Sequence, residues 1–416
     1  MDYLKTRTLQ ALRWSEQYTK TDMVYLAGSG FWINLGVVLT SFFSLALYTV
    51  FARTLSPETY GIYQYFLSAG GLIGALTLTG MNSAVIRAVA RGNEGMFLSS
   101  VRTQLRWGLI PVAVACCIAG YYFIRGNIPF GAGFLILGIF VPFTYAMNTY
   151  SAYLIGKKDF KKSFTYNLWV NLLFYSALIV AAFAHASALI LLAVHFVSQG
   201  IAHYLAHRRT LRAYPPNNTT DTETSAFGGH LSVMGILGTV ANQLDNFLVF
   251  HFLGPATLAI YAFATAIPDR LGGLLKFIPA SMLPMLATQS EEATKEALSW
   301  SRMVWVVVLV ALLAGAYALI APLVFMILFP TYMAAVPFSQ IYALSMITTL
   351  GSIFSAALIA QRQIRSLYVF NTALPIIGIV LQFFGIALYG LWGLIAAKIL
   401  VAFILTVTAS FLLLRR

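Results

Sequence analysis

Twelve stretches of about 20 consecutive apolar residues run through this chain, a pattern that leaves few folds open. They fall at approximately 28–52, 61–80, 105–124, 130–154, 164–184 and 186–206, then 229–253, 256–287, 302–328, 335–359, 367–388 and 390–413. A helix of about 20 residues spans about 30 Å, the hydrocarbon thickness of a bilayer. In lipid, every backbone N–H and C=O must be satisfied inside a helix or a closed barrel. The runs are continuous rather than alternating, which excludes barrel strands. Residues are 59% hydrophobic and 9% charged, with a mean hydropathy of +0.80, whereas soluble domains carry roughly 25% charged residues. The chain therefore reads as an all-α, polytopic membrane protein of about twelve transmembrane helices.

A repeat divides these helices. Leu55-Ser-Pro-Glu-Thr-Tyr-Gly-Ile-Tyr63 and Leu253-Gly-Pro-Ala-Thr-Leu-Ala-Ile-Tyr261 lie 198 positions apart and share Leu, Pro, Thr, Ile and Tyr in register. Each sits between one apolar run and the next. An offset close to half of 416 residues reads as two homologous halves. Six passes per half is even, so both halves enter the membrane from the same side, related by a pseudo-twofold axis along its normal. The expected organisation is an interfacial segment 1–27, a six-helix lobe over 28–206, a linker over 207–228 and a second six-helix lobe over 229–416. Duplicated halves in so apolar a chain are a feature of transporters.

Lysine and arginine concentrate in the N-terminal segment, the even-numbered loops and the C-terminus, whereas the alternate loops hold only Arg53 and Arg125. By the positive-inside rule both termini are cytoplasmic. The net charge of +13 is then largely topology, facing anionic headgroups rather than nucleic acid. Residues 1–27 mix Leu4, Leu12, Trp14 and Tyr18 with Lys5, Arg7, Arg13 and Lys20. Lacking a long apolar core and a cleavage site, they suit an interfacial helix better than a signal peptide. Cys116 and Cys117 exclude a disulfide framework, fit no metal spacing, and are expected to pack as small hydrophobic residues. The stretch from Arg208 to Ser225, with its Pro215-Pro216 pair, suits a flexible connection between the lobes. The glycosylation sequons at Asn217 and Asn218 fall on the cytoplasmic side and are incidental. No Gly-x-x-x-x-Gly-Lys-Ser/Thr occurs, and no cofactor or metal is expected. Gly70-x-x-x-Gly74 has the spacing of close helix packing.

Ionisable side chains near the bilayer centre cost at least about 2.5 kcal/mol and mark cavities or pairs. Asp245, Asp269, Arg270, His195 and Lys398 form a central band, about 12–21 Å from the outer helix ends at about 1.5 Å per residue. Lys276 lies lower, close enough to the inner interface to snorkel. Two readings stay open. In one, the charges line a cationic, water-filled cavity between the lobes. Arg270, Lys398 and Lys276 then bind an anionic headgroup, and Asp245 or Asp269 binds a coupling proton or cation. In the other they form neutralised pairs, such as Asp245 with Arg270, that clamp the second half. His195, Gln199 and His203 share one helix face, with His207 below, and His195 is the candidate for ion coupling. Arg53 and Glu58 end the first hairpin, but the repeat places His251 and Ala256 at their equivalents. They line an outer gate or pair at the surface.

Three segments resemble one family. Phe51-Ala-Arg-Thr-Leu-Ser-Pro-Glu-Thr-Tyr-Gly-Ile-Tyr63 resembles the first-hairpin motif of bacterial polysaccharide flippases, the Wzx-like branch of the MOP superfamily. Met81-Asn-Ser-Ala-Val-Ile-Arg-Ala-Val-Ala90 is similar to the segment after the second helix. Gln243-Leu-Asp-Asn-Phe-Leu-Val-Phe-His-Phe-Leu-Gly254, followed by Ile260-Tyr-Ala-Phe-Ala264, resembles the seventh- and eighth-helix motif with its recurrent Gln-x-Asp. Ala259 departs from the pattern, which has Gly there; the first half keeps Gly61. The departure should affect hairpin packing rather than chemistry. The resemblance implies a flippase for undecaprenyl-diphosphate-linked oligosaccharide in the bacterial inner membrane, alternating between inward- and outward-open states. Arg270 and Lys398 would meet the diphosphate, and Asp245 would couple transport to a proton or sodium ion. Membrane lipids and polysaccharide assembly enzymes are the implied partners.

Two other functions compete. A multidrug/cation antiporter of the same superfamily would favour acidic groups in its cavity, but Arg270, Lys276 and Lys398 outnumber Asp245 and Asp269. A polytopic polysaccharide-processing enzyme would need a substantial outer loop or a catalytic helix histidine, and the outer loops are short. The expectation is a transporter without covalent chemistry.

Overall fold

The computed structural model describes residues 23–275, 279, 282, 286, 291–298, 300–361 and 372–414. Lys276 and most of the proposed interfacial segment lie outside them. The first half comprises α1 (Met23–Thr54), α2 (Pro57–Ala75), α3 (Met81–Ala90), α4 (Met96–Trp107), α5 (Leu109–Ile124), α6 (Ile128–Met147), α7 (Thr149–Gly156), α8 (Phe160–Phe183) and α9 (Ala188–Ala213). The second comprises α10 (Thr222–Leu253), α11 (Pro255–Leu275), α12 (Glu291–Ala297), α13 (Trp300–Leu328), α14 (Val336–Tyr342), α15 (Thr348–Ala360) and α16 (Leu374–Leu414). The 3₁₀ turns Pro330–Ala335 and Ala343–Ile347 flank α14.

Ten helical segments among the described residues are long and apolar enough to cross a membrane. The more polar α2 and a reversal inside α16 bring the passes to twelve. The 41 residues of α16 would reach about 60 Å if straight, twice the hydrocarbon core. Gly390 breaks the run at φ 59°, ψ −139°, a conformation open essentially to glycine alone. A Cβ on Gly393 would overlap the Gly385 carbonyl, so two glycines let the arms of this hairpin touch.

The nine-residue repeat is a helix start used twice. Pro57 and Pro255 open α2 and α11, where the missing N–H is not needed. Ser56 caps the first through its side chain, accepting from Thr59 N at 3.2 Å, and Gly254 turns into the second at φ +84°. The two helices then pack on each other at the centre of the molecule. Gly61 makes this possible, because a Cβ there would overlap the Pro255 carbonyl. Gly70 and Gly74 lie against Phe196, Leu137 and Tyr145, which bears out the packing reading of their spacing.

Several boundaries differ from expectation. The 61–80 run stops as a helix at Ala75, and Leu78 takes φ +60° before α3. The 335–359 run is interrupted by 3₁₀ geometry at Ala343–Ile347. The linker is shorter than 207–228, because α9 continues to Ala213 and α10 begins at Thr222. It is also tied down: Asn217 donates to the Gly92 carbonyl at 2.8 Å and accepts from Glu94 N at 3.0 Å and Gly95 N at 3.2 Å. Cys116 and Cys117 do not pack in the core; both are exposed on the lipid-facing side of α5. They share that surface with exposed Leu109, Ile139, Val180, Leu312 and Leu388, an apolar belt that only a bilayer would cover.

Candidate functional site

A polar cavity of ≈ 330 Å³ lies where α1 and α2 meet α10 and α11. On α2, Gln64, Leu67 and Ser68 occupy successive positions of one face, and Gln243 and Asn246 do so on α10. On α11, Ala262, Thr265, Ala266 and Asp269 follow the i, i+3, i+4, i+7 pattern, with Arg270 beside them. Tyr48 of α1 completes the wall. The halves meet through a hydrogen bond from the Asn246 amide to Ser68 Oγ, 2.8 Å. Gly71 leaves room for Gln243, whose amide a Cβ would strike.

Arg270 is held across the same boundary. Its Nε and Nη2 donate to Ser44 Oγ at 3.2 and 3.0 Å, Nη1 donates to the Ala266 carbonyl, and the guanidinium lies 4.5 Å from the centroid of the Tyr48 ring. These partners are neutral, so its positive charge stays available to an anion. Asp269 is exposed although its neighbours Ala266 and Pro268 are buried, because it opens onto the cavity. It accepts from the Tyr342 hydroxyl at 3.0 Å.

Above the cavity the repeat turns are sealed. Phe263 contacts Tyr48, Tyr60, Phe329 and Tyr332, with ring centroids 4.0–5.7 Å apart. Arg53 Nη2 donates to the Ile327 carbonyl at 2.6 Å, tying the end of α1 to the end of α13. Glu58 is exposed in the first turn of α2. Towards the opposite end burial falls: α1 is exposed at Phe31, Val37, Val38 and Phe42, and Gly235, Gly238, Gly272 and Gly273 have no neighbour among the described residues that a Cβ would meet.

The other charges lie elsewhere. Asp245 is buried and pairs with Lys398, not with Arg270 as the pairing reading had it. Tyr261 donates to the same carboxylate at 2.6 Å, and Lys398 donates to the Tyr261 hydroxyl at 2.9 Å. Neither Asp245 nor Lys398 lines the cavity. His195 sits inside the first half, its Nδ1 2.6 Å from the Tyr63 hydroxyl and its ring between Phe174 and Phe196. Sequence reasoning passed over Tyr48, Gln64, Ser68, Asn246 and Thr265. The signal was present as polar residues at helical spacing within apolar runs.

The architecture has known counterparts. An inward-facing multidrug resistance MATE family transporter of the MOP superfamily superposes with a TM-score of 0.69 at 13% identity, covering 90% of this chain and 94% of that one. An outward-facing one gives 0.63 at 12% identity, covering 92% and 94%. The lipid II flippase MurJ, in an inward closed conformation, gives 0.64 at 12% identity, covering 91% and 86%. At such identities the likeness is one of fold. No curated protein matches in sequence. A family model described as "Polysaccharide biosynthesis protein" matches residues 50–337. With that match, in agreement with the resemblance of the hairpin motifs, the chain belongs to the polysaccharide biosynthesis protein family, on the multi-pass membrane fold of the MOP-superfamily transporters and flippases.

Proposed function

We propose that this protein is a flippase that moves undecaprenyl-diphosphate-linked oligosaccharide repeat units across the bacterial inner membrane, without covalent chemistry. The observation that carries the reading is Arg270, a cation in a polar cavity between the halves whose hydrogen bonds, among the described residues, go to neutral groups. A guanidinium in a low-dielectric site is suited to a diphosphate. At ≈ 330 Å³ the cavity is at the small end of ligand sites, so an oligosaccharide head requires the lobes to part. The lobes 28–206 and 229–416 are the moving bodies. The sealed turn end faces outward, the basic end and both termini face the cytoplasm, and Arg53 and Glu58 belong to the outer gate. Asp269, exposed to the cavity, is the preferred coupling carboxylate for a proton or sodium ion; Asp245 and His195 are further candidates. Lys398 acts on the cargo only after leaving Asp245, and Lys276 meets it at the inner mouth. The cargo would be taken from, and delivered to, polysaccharide assembly enzymes.

The test is the leaflet distribution of lipid-linked glycan in cells depleted of the protein. Build-up on the cytoplasmic side, reversed by wild type but not by Arg270→Ala, supports the proposal. Asp269 would equally suit a cationic substrate, so an antiporter is the second reading. Its outcome is sensitivity to cationic dyes with no glycan build-up.

A further inference from the structure

A second concavity, ≈ 620 Å³ and well separated from the first, lies on the exposed face of α8 and α9. No residue lines both cavities. Ala202 and Ala206 are small and buried, forming a floor, while Trp169 (64% exposed), Leu173 and Leu205 stand up as walls. From Tyr166 to Ser176 the groove follows about 15 Å of α8, half the hydrocarbon core. It ends at Arg208, Arg209 and Arg212, on the last turns of α9.

Arg212 follows Arg208 by four residues and Arg209 by three, spacings at which like charges on a helix repel by about 0.2–0.5 kcal/mol per pair. The macrodipole at a helix C-terminus favours cations, but only modestly. Among the described residues no carboxylate pairs with them. Neighbouring lysines are engaged: Lys157 with Glu94, Lys162 with the Tyr214 hydroxyl at 3.0 Å, and Lys161 5.8 Å from the centroid of the Trp32 ring. A phosphate would relieve the repulsion, and guanidinium forks match phosphate oxygens. A water-soluble anion would have no use for the apolar walls. The complement is therefore an amphiphile with a phosphate at one end and a chain along the groove.

We propose that this groove is a binding site for an anionic phospholipid of the adjoining leaflet. Its phosphate lies on Arg208, Arg209 and Arg212 and an acyl chain runs past Trp169, Leu173 and Leu205. Basic pockets between helices at the membrane surface have this character.

The experiment is native mass spectrometry of the full-length protein titrated with phosphatidylglycerol or phosphatidylcholine. Wild type should prefer phosphatidylglycerol at least tenfold, and Arg208→Gln/Arg209→Gln/Arg212→Gln should abolish the preference. Ser176→Trp fills the groove and keeps every charge; it should weaken retention at least fivefold. Unchanged preference in the triple variant, or full retention in Ser176→Trp, would overturn the assignment. So would displacement of the phospholipid by undecaprenyl diphosphate at lower concentration, which would make the groove a cargo site. None of these readouts involves export, so they stand apart from the test of the flippase reading.

Discussion

Lys398 of α16 lies against the carboxylate of Asp245 on α10, 153 residues away in sequence, and the Tyr261 hydroxyl of α11 bonds to both. Three helices of the second half are pinned at one buried point. The ammonium also lies 5.7 Å from the centroid of the Tyr342 ring, and the Tyr342 hydroxyl reaches Asp269 at the cavity wall. The buried pair and the exposed acid are thus joined through one tyrosine.

Removing one partner of a buried pair leaves an uncompensated charge, which costs about 3–5 kcal/mol. Lys398→Met and Asp245→Asn should each lower the thermal unfolding temperature of the purified protein. The double variant should lose clearly less than the two single losses combined. Additive losses would mean that the two residues are not coupled.

Arg270 meets neutral groups of the fold, the Ser44 hydroxyl and the Ala266 carbonyl. Arg270→Ala should reduce glycan export at least about tenfold, equivalent to ~1.4 kcal/mol. Membrane abundance and unfolding temperature should stay near wild type. A parallel fall in stability would assign Arg270 to packing.

Gly61→Ala places a methyl group into the Pro255 carbonyl, an overpacking cost of about 1–3 kcal/mol borne by the contact between α2 and α11. The variant should favour the state in which that contact opens. A cysteine at Ala262, buried beside the cavity, should then react faster with an impermeant maleimide added from outside. Unchanged labelling would show that the contact does not close the turn end.

Glu94 lies in the α3–α4 turn, outside the membrane spans, and the hydrogen bond from Lys157 holds its carboxyl below the usual range. A lowered folded-state pKa adds stability above the unfolded value, and that stability disappears as pH falls through the folded one. For a partly exposed pair this is about 1 kcal/mol or less. Wild type should therefore lose stability on acidification below the normal carboxylate range, and Glu94→Gln should show a flatter acid limb in thermal unfolding.

Much of the fold was legible because its causes are local. Apolar runs place the passes, Pro57 and Pro255 mark helix starts, and Gly390 marks the reversal between the last two. The cavity was half legible. Asp269 and Arg270 were visible as charges at depth, but Gln64, Ser68, Asn246 and Thr265 were hidden, since neutral polar residues in a membrane helix equally satisfy a backbone or a neighbouring helix. The contacts of the linker were not legible, because the Pro-Pro-Asn-Asn stretch shows nothing of the bonds Asn217 makes to the α3–α4 turn.

The residue order of this chain dictates twelve passes, a duplicated architecture and a band of charge at membrane depth, because hydrocarbon tolerates neither open backbone nor scattered ions. It does not dictate how those charges pair. Asp245 meets Lys398 instead of Arg270, His195 meets Tyr63, and Arg270 meets Ser44, each across a long stretch of sequence. Such partnerships follow from how each helix is rotated and how deeply its neighbour sits, quantities set by packing at glycines such as Gly61 and Gly71.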